Sequence, residues 1–282
     1  MRLVLSLLLL FMLPPGAAKA RTALTADTTV YVDNVSGQDV ASCGTASSSS
    51  ACKTPAYAMR LIENTLDLAG YNITLKLTAG QTYTASSGSA VIPIGNTIGD
   101  GNLIVDGSET ATVQSCSGCA MDAIDDVTPH VQSIIIQNIR LESPGQCGIY
   151  AQEPGVIYVG SGVYISNSKY QICAGDSGAI MELVGPVHLS DDADIAIMVS
   201  NSAELWCNGC TINISGNPKY IYFIDVFALG EYWESPAATI NGTAVGMRYN
   251  VWGNGGMFTN SGNDNHFPGT IAGAVSLGGT SN

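Results

Sequence analysis

A four-residue pattern returns at nearly constant spacing through the middle of the chain. Ile139-Arg140-Leu141-Glu142 recurs as Val163-Tyr164-Ile165-Ser166, Val187-His188-Leu189-Ser190 and Ile212-Asn213-Ile214-Ser215, at steps of 24, 24 and 25 residues. Each copy alternates apolar and polar, the period of a strand with one face buried. A second apolar run precedes each copy: Ile134-Ile135-Ile136, Val156 to Val159, Ile180 to Val184, and Leu205-Trp206-Cys207. Turn residues join the two runs: Gln137-Asn138, Gly160-Ser161-Gly162, Gly185-Pro186 and Asn208-Gly209. Two strands, a turn and a polar loop every two dozen residues describe one coil of a solenoid. A single coil cannot bury its own apolar face, whereas stacked coils bury a continuous core. The repeat therefore predicts an all-β chain, a right-handed parallel β-helix.

Composition narrows the partners. The 282 residues carry a formal net charge of −13, with 46% hydrophobic and only 12% charged side chains. That balance suits one large core and argues against nucleic acid and anionic membrane surfaces, which need a basic footprint. Residues 1–20 read as a signal peptide. Arg2 supplies the positive start, Leu3 to Leu13 the apolar stretch, and Ala18-Lys19-Ala20 a small-residue cleavage site. The apolar run is too short to span a bilayer and no later run approaches that length. The chain is expected to be secreted or periplasmic, with no membrane span.

Export makes the eight cysteines readable, because the count is even and the compartment oxidising. The expected local pairs are Cys43–Cys52 around a Ser-rich loop, Cys116–Cys119 and Cys207–Cys210 around tight turns, and Cys147–Cys173 about one coil apart. Spacing does not fix the connectivity. The two C-x-x-C pairs also form a candidate four-thiolate zinc site, disfavoured by their wide separation and the lack of a zinc-ribbon context.

The domain plan follows. Residues 21–70 hold an N-terminal strand, Thr29-Val30-Tyr31-Val32, and a capping helix. Thr54 stands at its N-cap, Pro55 at its first position and Gly70 at its stop, with Ala58, Leu61, Ile62, Leu66 and Ala69 forming one apolar stripe. Residues 71–260 hold the coils. The stretch 217–236 interrupts the period there as an aromatic insertion, either packed on the wall or lining a groove. Residues 261–282 form a Gly-rich tail, an extended cover or a disordered end.

Two segments carry a family resemblance. The first comprises Tyr31-Val32, the Ser36-Gly37-Gln38-Asp39 loop, Cys43-Gly44, Cys52-Lys53-Thr54 and the helix. The second runs from Ile73 to Tyr83 and ends in Ala79-Gly80-Gln81-Thr82-Tyr83. Together they resemble the opening module of exported right-handed parallel β-helix proteins of the pectin-lyase-like superfamily. The resemblance covers about residues 29–84 in motif and the remainder in repeat texture. That superfamily includes polysaccharide lyases, glycoside hydrolases, esterases, phage tailspikes and proteins without known activity, so it implies the fold and leaves function to the site.

Candidate sites come from the repeat. If Ile139, Val163, Val187 and Ile212 point inward, their successors Arg140, Tyr164, His188 and Asn213 stack outward, about 4.8 Å apart. Glu142, Ser166, Ser190 and Ser215 form a parallel outward row. Arg140 can neutralise a sugar carboxylate while Tyr164 or His188 moves a proton, the needs of metal-free lyase chemistry. Two acidic clusters, Asp122, Asp125 and Asp126 on one loop and Asp191, Asp192 and Asp194 on another, are candidates for calcium or for a glycosidase acid–base pair. Neither matches a calcium-loop pattern, and with only eight Lys and Arg after residue 20 the calcium pectate-lyase pattern is unsupported. Two functions remain. One is an exported protein that binds glycan or another surface ligand without catalysis. The alternative is a polysaccharide lyase or glycoside hydrolase acting on an extracellular polysaccharide.

Overall fold

The computed structural model describes residues 20–85, 88, 90–116, 121–130, 132–259 and 266–282. The expected signal peptide, apart from Ala20, lies outside them, as does Cys119. The described chain is a parallel β-solenoid with three long sheets and one helix near its start. Sheet I has ten strands, from Thr28–Val32 to Thr280–Ser281. Sheet II has seven, from Thr82–Ala85 to Thr239–Asn241. Sheet III has eight, from Ala90–Ile94 to Ala274–Val275. One coil visits the three in turn, as in Ser133–Gln137, Ile139–Glu142 and Cys147–Ala151. Among the described residues no helix is long and apolar enough to cross a membrane.

The repeat sets the register. Ile139 pairs with Val163, Val163 with Val187, and Val187 with Ile212, all in parallel. All four are fully buried. The turn between sheets I and II needs a residue in the left-handed region, supplied by Asn138 (φ 52°), Gly162 (φ 72°) and Gly209 (φ 73°) in different coils. Gly185 serves the same turn differently, since a Cβ there would sit 2.5 Å from the Ser161 backbone nitrogen of the coil before.

The complete coils contain three strands rather than two. What reads as a polar loop is the sheet III strand, and it lacks alternation because both its faces are covered. Asp122–Asp126 is buried at every position and Tyr170–Ala174 at four of five. Its inward row is a column of isoleucines: Ile92, Ile124, Ile149, Ile172, Ile197 and Ile224, in register. Burying each such side chain stabilises the fold by about 1.5–3 kcal/mol relative to exposure.

The expected insertion at 217–236 is two ordinary strands. Lys219–Val226 is a long sheet III strand with a bulge between Lys219 and Tyr222, and Glu231–Glu234 is the next strand of sheet I. The bulge and the extra length stretch that coil without breaking the stack.

The helix runs Pro55–Thr65, with Thr54 Oγ1 accepting the Tyr57 N–H at 3.3 Å. Asp39 fastens the same end by accepting the Lys53 and Thr54 N–H groups and the Thr54 hydroxyl. Ala58, Met59 and Ile62 face the core. The helix stops before Gly70 because Leu66–Asp67 turns extended and pairs with Thr22–Ala23. At the other end, Ala274–Val275 and Thr280–Ser281 of the Gly-rich segment add strands to sheets III and I.

Disulfides join Cys43 to Cys52, Cys147 to Cys173 and Cys207 to Cys210. Cys116 is also disulfide-bonded. The Cys147–Cys173 bridge ties adjacent sheet III strands and closes a loop of 26 residues.

Candidate functional site

The outward row of sheet II forms as the repeat predicts. Arg140 pairs with Tyr164, Tyr164 with His188, His188 with Asn213, and Asn213 with Asn241. The side chains also touch. The Arg140 guanidinium carbon lies 4.8 Å from the centre of the Tyr164 ring. The Tyr164 and His188 rings stack at 4.3 Å and 13°. Asn241 Nδ2 donates to Asn213 Oδ1 at 3.0 Å. Tyr164 is thus covered by Arg140 on one side and His188 on the other. Arg140 is exposed, and both rings are half-buried on an open sheet surface. In the parallel row, Glu142 Oε2 accepts the Gln114 amide at 2.6 Å.

The acidic clusters are placed differently from their expected loops. Asp122, Asp125 and Asp126 lie in one sheet III strand, all buried. Asp122 Oδ1 accepts the Cys147 N–H at 2.8 Å, and burial pushes this carboxyl up to about 6. Asp125 Oδ1 has no hydrogen-bond partner among the described residues. Burial, followed by the nearby carboxylates Asp122, Asp126 and Glu153, pushes Asp125 up to about 8. Asp126 accepts the Gln152 and Glu153 N–H groups and meets His130 Nε2 at 3.2 Å. His130 Nδ1 faces the Gln132 carbonyl at 2.7 Å, and a carbonyl only accepts. Nδ1 therefore donates to that carbonyl, leaving Nε2 facing Asp126 Oδ2.

Asp191, Asp192 and Asp194 lie at the corner between sheets II and III, Asp194 within the strand Ala193–Val199. Asp192 Oδ1 accepts the Lys219 N–H at 2.8 Å. Asp192, Asp194, Lys169 and Lys219 line an open cleft of about 470 Å³. Among the described residues, no three His, Cys, Asp or Glu side chains are arranged to hold a metal ion.

A further surface was not singled out from the sequence. Along sheet I, one outward row reads Ile135, Tyr158, Glu182, Trp206, Trp233, Phe258, one residue per coil. Trp206 and Trp233 stack at 5.6 Å, and Trp233 and Phe258 at 4.1 Å. Each indole is anchored by a glutamate two residues earlier in its strand. Trp206 Nε1 donates to Glu204 Oε2 at 2.8 Å, and Trp233 Nε1 to Glu231 Oε2 at 3.0 Å. Trp206 is nonetheless 39% exposed. Beside the stack, Trp206, Asn208, Trp233 and Ser235 line a cleft of about 200 Å³ against the Cys207–Cys210 turn. The signal was present in the Glu-x-Trp motif, which occurs at Glu204 and Glu231, one coil apart. In comparisons with known proteins, no family model matches the chain, and none of the curated proteins or solved structures matches it.

Proposed function

We propose that this protein is an exported, pectin-lyase-like β-solenoid that binds an extended polysaccharide along sheet I, without catalysis. The observation that carries the reading is the in-register stack of Trp206, Trp233 and Phe258 beside a cleft rimmed by Asn208 and Ser235. Binding sites combine an apolar aromatic floor with a few placed polar groups. A strip of rings one coil apart is a ribbed apolar track for the C–H faces of pyranose rings. The Asn208 amide and Ser235 hydroxyl meet the sugar hydroxyls at its edge. The rings are held by each other and by glutamates, so little side-chain freedom is lost on binding. A net charge of −13 disfavours nucleic acid as the partner, and the Cys43–Cys52, Cys147–Cys173 and Cys207–Cys210 disulfides suit a secreted or periplasmic setting.

A second reading is a lyase using Arg140, Tyr164 and His188, favoured by the contact of those three side chains in line. One panel separates the two. The oxidised protein is incubated with acidic and neutral polysaccharides, with and without calcium. Retardation in polysaccharide gels, reducing ends and the ultraviolet absorbance of unsaturated sugars are followed together. Retardation without new ends is the expected result. Unsaturated product that disappears in Arg140→Ala and His188→Ala would establish the lyase. Reducing ends without unsaturation would indicate hydrolysis.

A further inference from the structure

The charge on the same face narrows the ligand. From Val156 to Phe258, the outward positions of sheet I include three carboxylates, Glu182, Glu204 and Glu231, and no Lys or Arg. Glu182 is the register neighbour of Trp206, and Glu204 that of Glu231. Among the described residues, the ion pairs are those of His130 with Asp126 and His266 with Glu234, so none neutralises these three. Glu204 and Glu231 each give Oε2 to an indole N–H, and Oε1 of each makes no hydrogen bond within the described protein. Two carboxylates are thus pinned one coil apart with free lone pairs, repelling each other until a cation lies between them.

We propose that sheet I selects a cationic amino-sugar polymer, a reading that rests on the polysaccharide binding proposed above. Sugar rings lie along Trp206 and Trp233, and their ammonium groups meet Glu204, Glu231 and Glu182. The aromatic strip favours this polymer over a basic peptide, because the stack of Trp206, Trp233 and Phe258 offers sugar rings an apolar track while the carboxylates beside it meet their amines.

The test is a tryptophan-fluorescence titration with three hexasaccharides: glucosamine, N-acetylglucosamine of the same linkage, and galacturonate. It is run at about pH 5.5, where amines are charged. Glucosamine hexamer is expected to bind about tenfold more tightly than its acetylated counterpart. That preference is expected to collapse at about 0.5 M salt and in Glu204→Gln/Glu231→Gln, whose amide oxygens still accept the indole N–H groups. Trp206→Ala is expected to lose both ligands. Equal affinity for the two glucosamine-based hexamers, or a preference for galacturonate, would overturn the charge inference while leaving sheet I as a glycan site. Silence with all three, in a protein whose circular dichroism is intact, would overturn both.

Discussion

Sheets I and II follow one construction rule and present different surfaces. In both, every second residue enters the core and the next stands outward, one coil spacing from its neighbours. On sheet II the outward column is Arg140, Tyr164, His188 and Asn213, where a cation covers a phenol and an imidazole covers its other face. On sheet I it is Glu182, Trp206, Trp233 and Phe258, with carboxylates anchoring indoles. The sheet II column leaves Arg140 exposed at the head of the stacked Tyr164 and His188 rings. The sheet I stack leaves its first indole 39% exposed beside a cleft. The difference teaches that one construction rule can present a cationic column on one face and an aromatic, acidic one on another.

The largest effects should be identical on the two sheets. Leu189→Ala on sheet II and Leu205→Ala on sheet I each remove a fully buried side chain. Each should cost about 2–5 kcal/mol of unfolding free energy by chemical denaturation. Their outward neighbours should separate from them, with His188→Ala costing less than about 1 kcal/mol. Comparable losses at Leu189 and His188 would break the assignment of inside and outside.

Sheet III sharpens the contrast, because its strand Asp122–Asp126 is buried on both faces and holds carboxyls there. Asp125 stands at about 8 and Asp122 at about 6, both above their unfolded range near 4. For a group whose folded value is raised, the stabilising contribution is complete below the unfolded value and is lost as pH rises through the folded one. The thermal midpoint should therefore fall between about pH 4 and pH 8, by about 5 °C or more. Asp125→Asn should flatten that fall, since the amide keeps the shape and cannot ionise. Asp122, Asp126 with its partner His130, Glu153 and Tyr150 are the titratable groups around it. An unchanged slope in the Asn variant would assign the fall to another group.

The smallest effect concerns the stacks themselves. Trp233 lies between Trp206 and Phe258, whereas Tyr164 lies between a guanidinium and an imidazole. Aromatic pairs contribute about 0.5–1.5 kcal/mol beyond their buried area. Trp233→Leu should thus destabilise slightly more than Tyr164→Leu in matched thermal scans. The reverse order would mean that the cation contact on sheet II is the stronger.

How much of this was legible follows from the same geometry. Sheet II could be read residue by residue, because its strands alternate and recur at steps of 24, 24 and 25. The helix start was legible in Thr54-Pro55, and its end was not, because Leu66–Asp67 is drawn into a ladder with residues far from it in sequence. Sheet III was hidden because two-sided burial removes alternation, so Asp122–Asp126 read as a loop. The Trp206–Trp233 stack was hidden because that step is 27 residues, lengthened by the long bulged strand Lys219–Val226. A search at a fixed period of 24 passes over it. His130 meets Asp126 and the Gln132 carbonyl close by in sequence, but its burial comes from packing under Gly155 of the next coil, which no local pattern announces.

The central claim is that glycan binds sheet I and not sheet II. The most direct measurement is gel retardation of three oxidised proteins on the same polysaccharide panel: the unmodified chain, Trp206→Ala/Trp233→Ala, and Arg140→Ala/His188→Ala. The account predicts that the tryptophan variant loses about tenfold or more in affinity while the sheet II variant matches the unmodified chain. Binding that survives loss of both tryptophans and fails on loss of Arg140 and His188 would contradict it and move the site to sheet II.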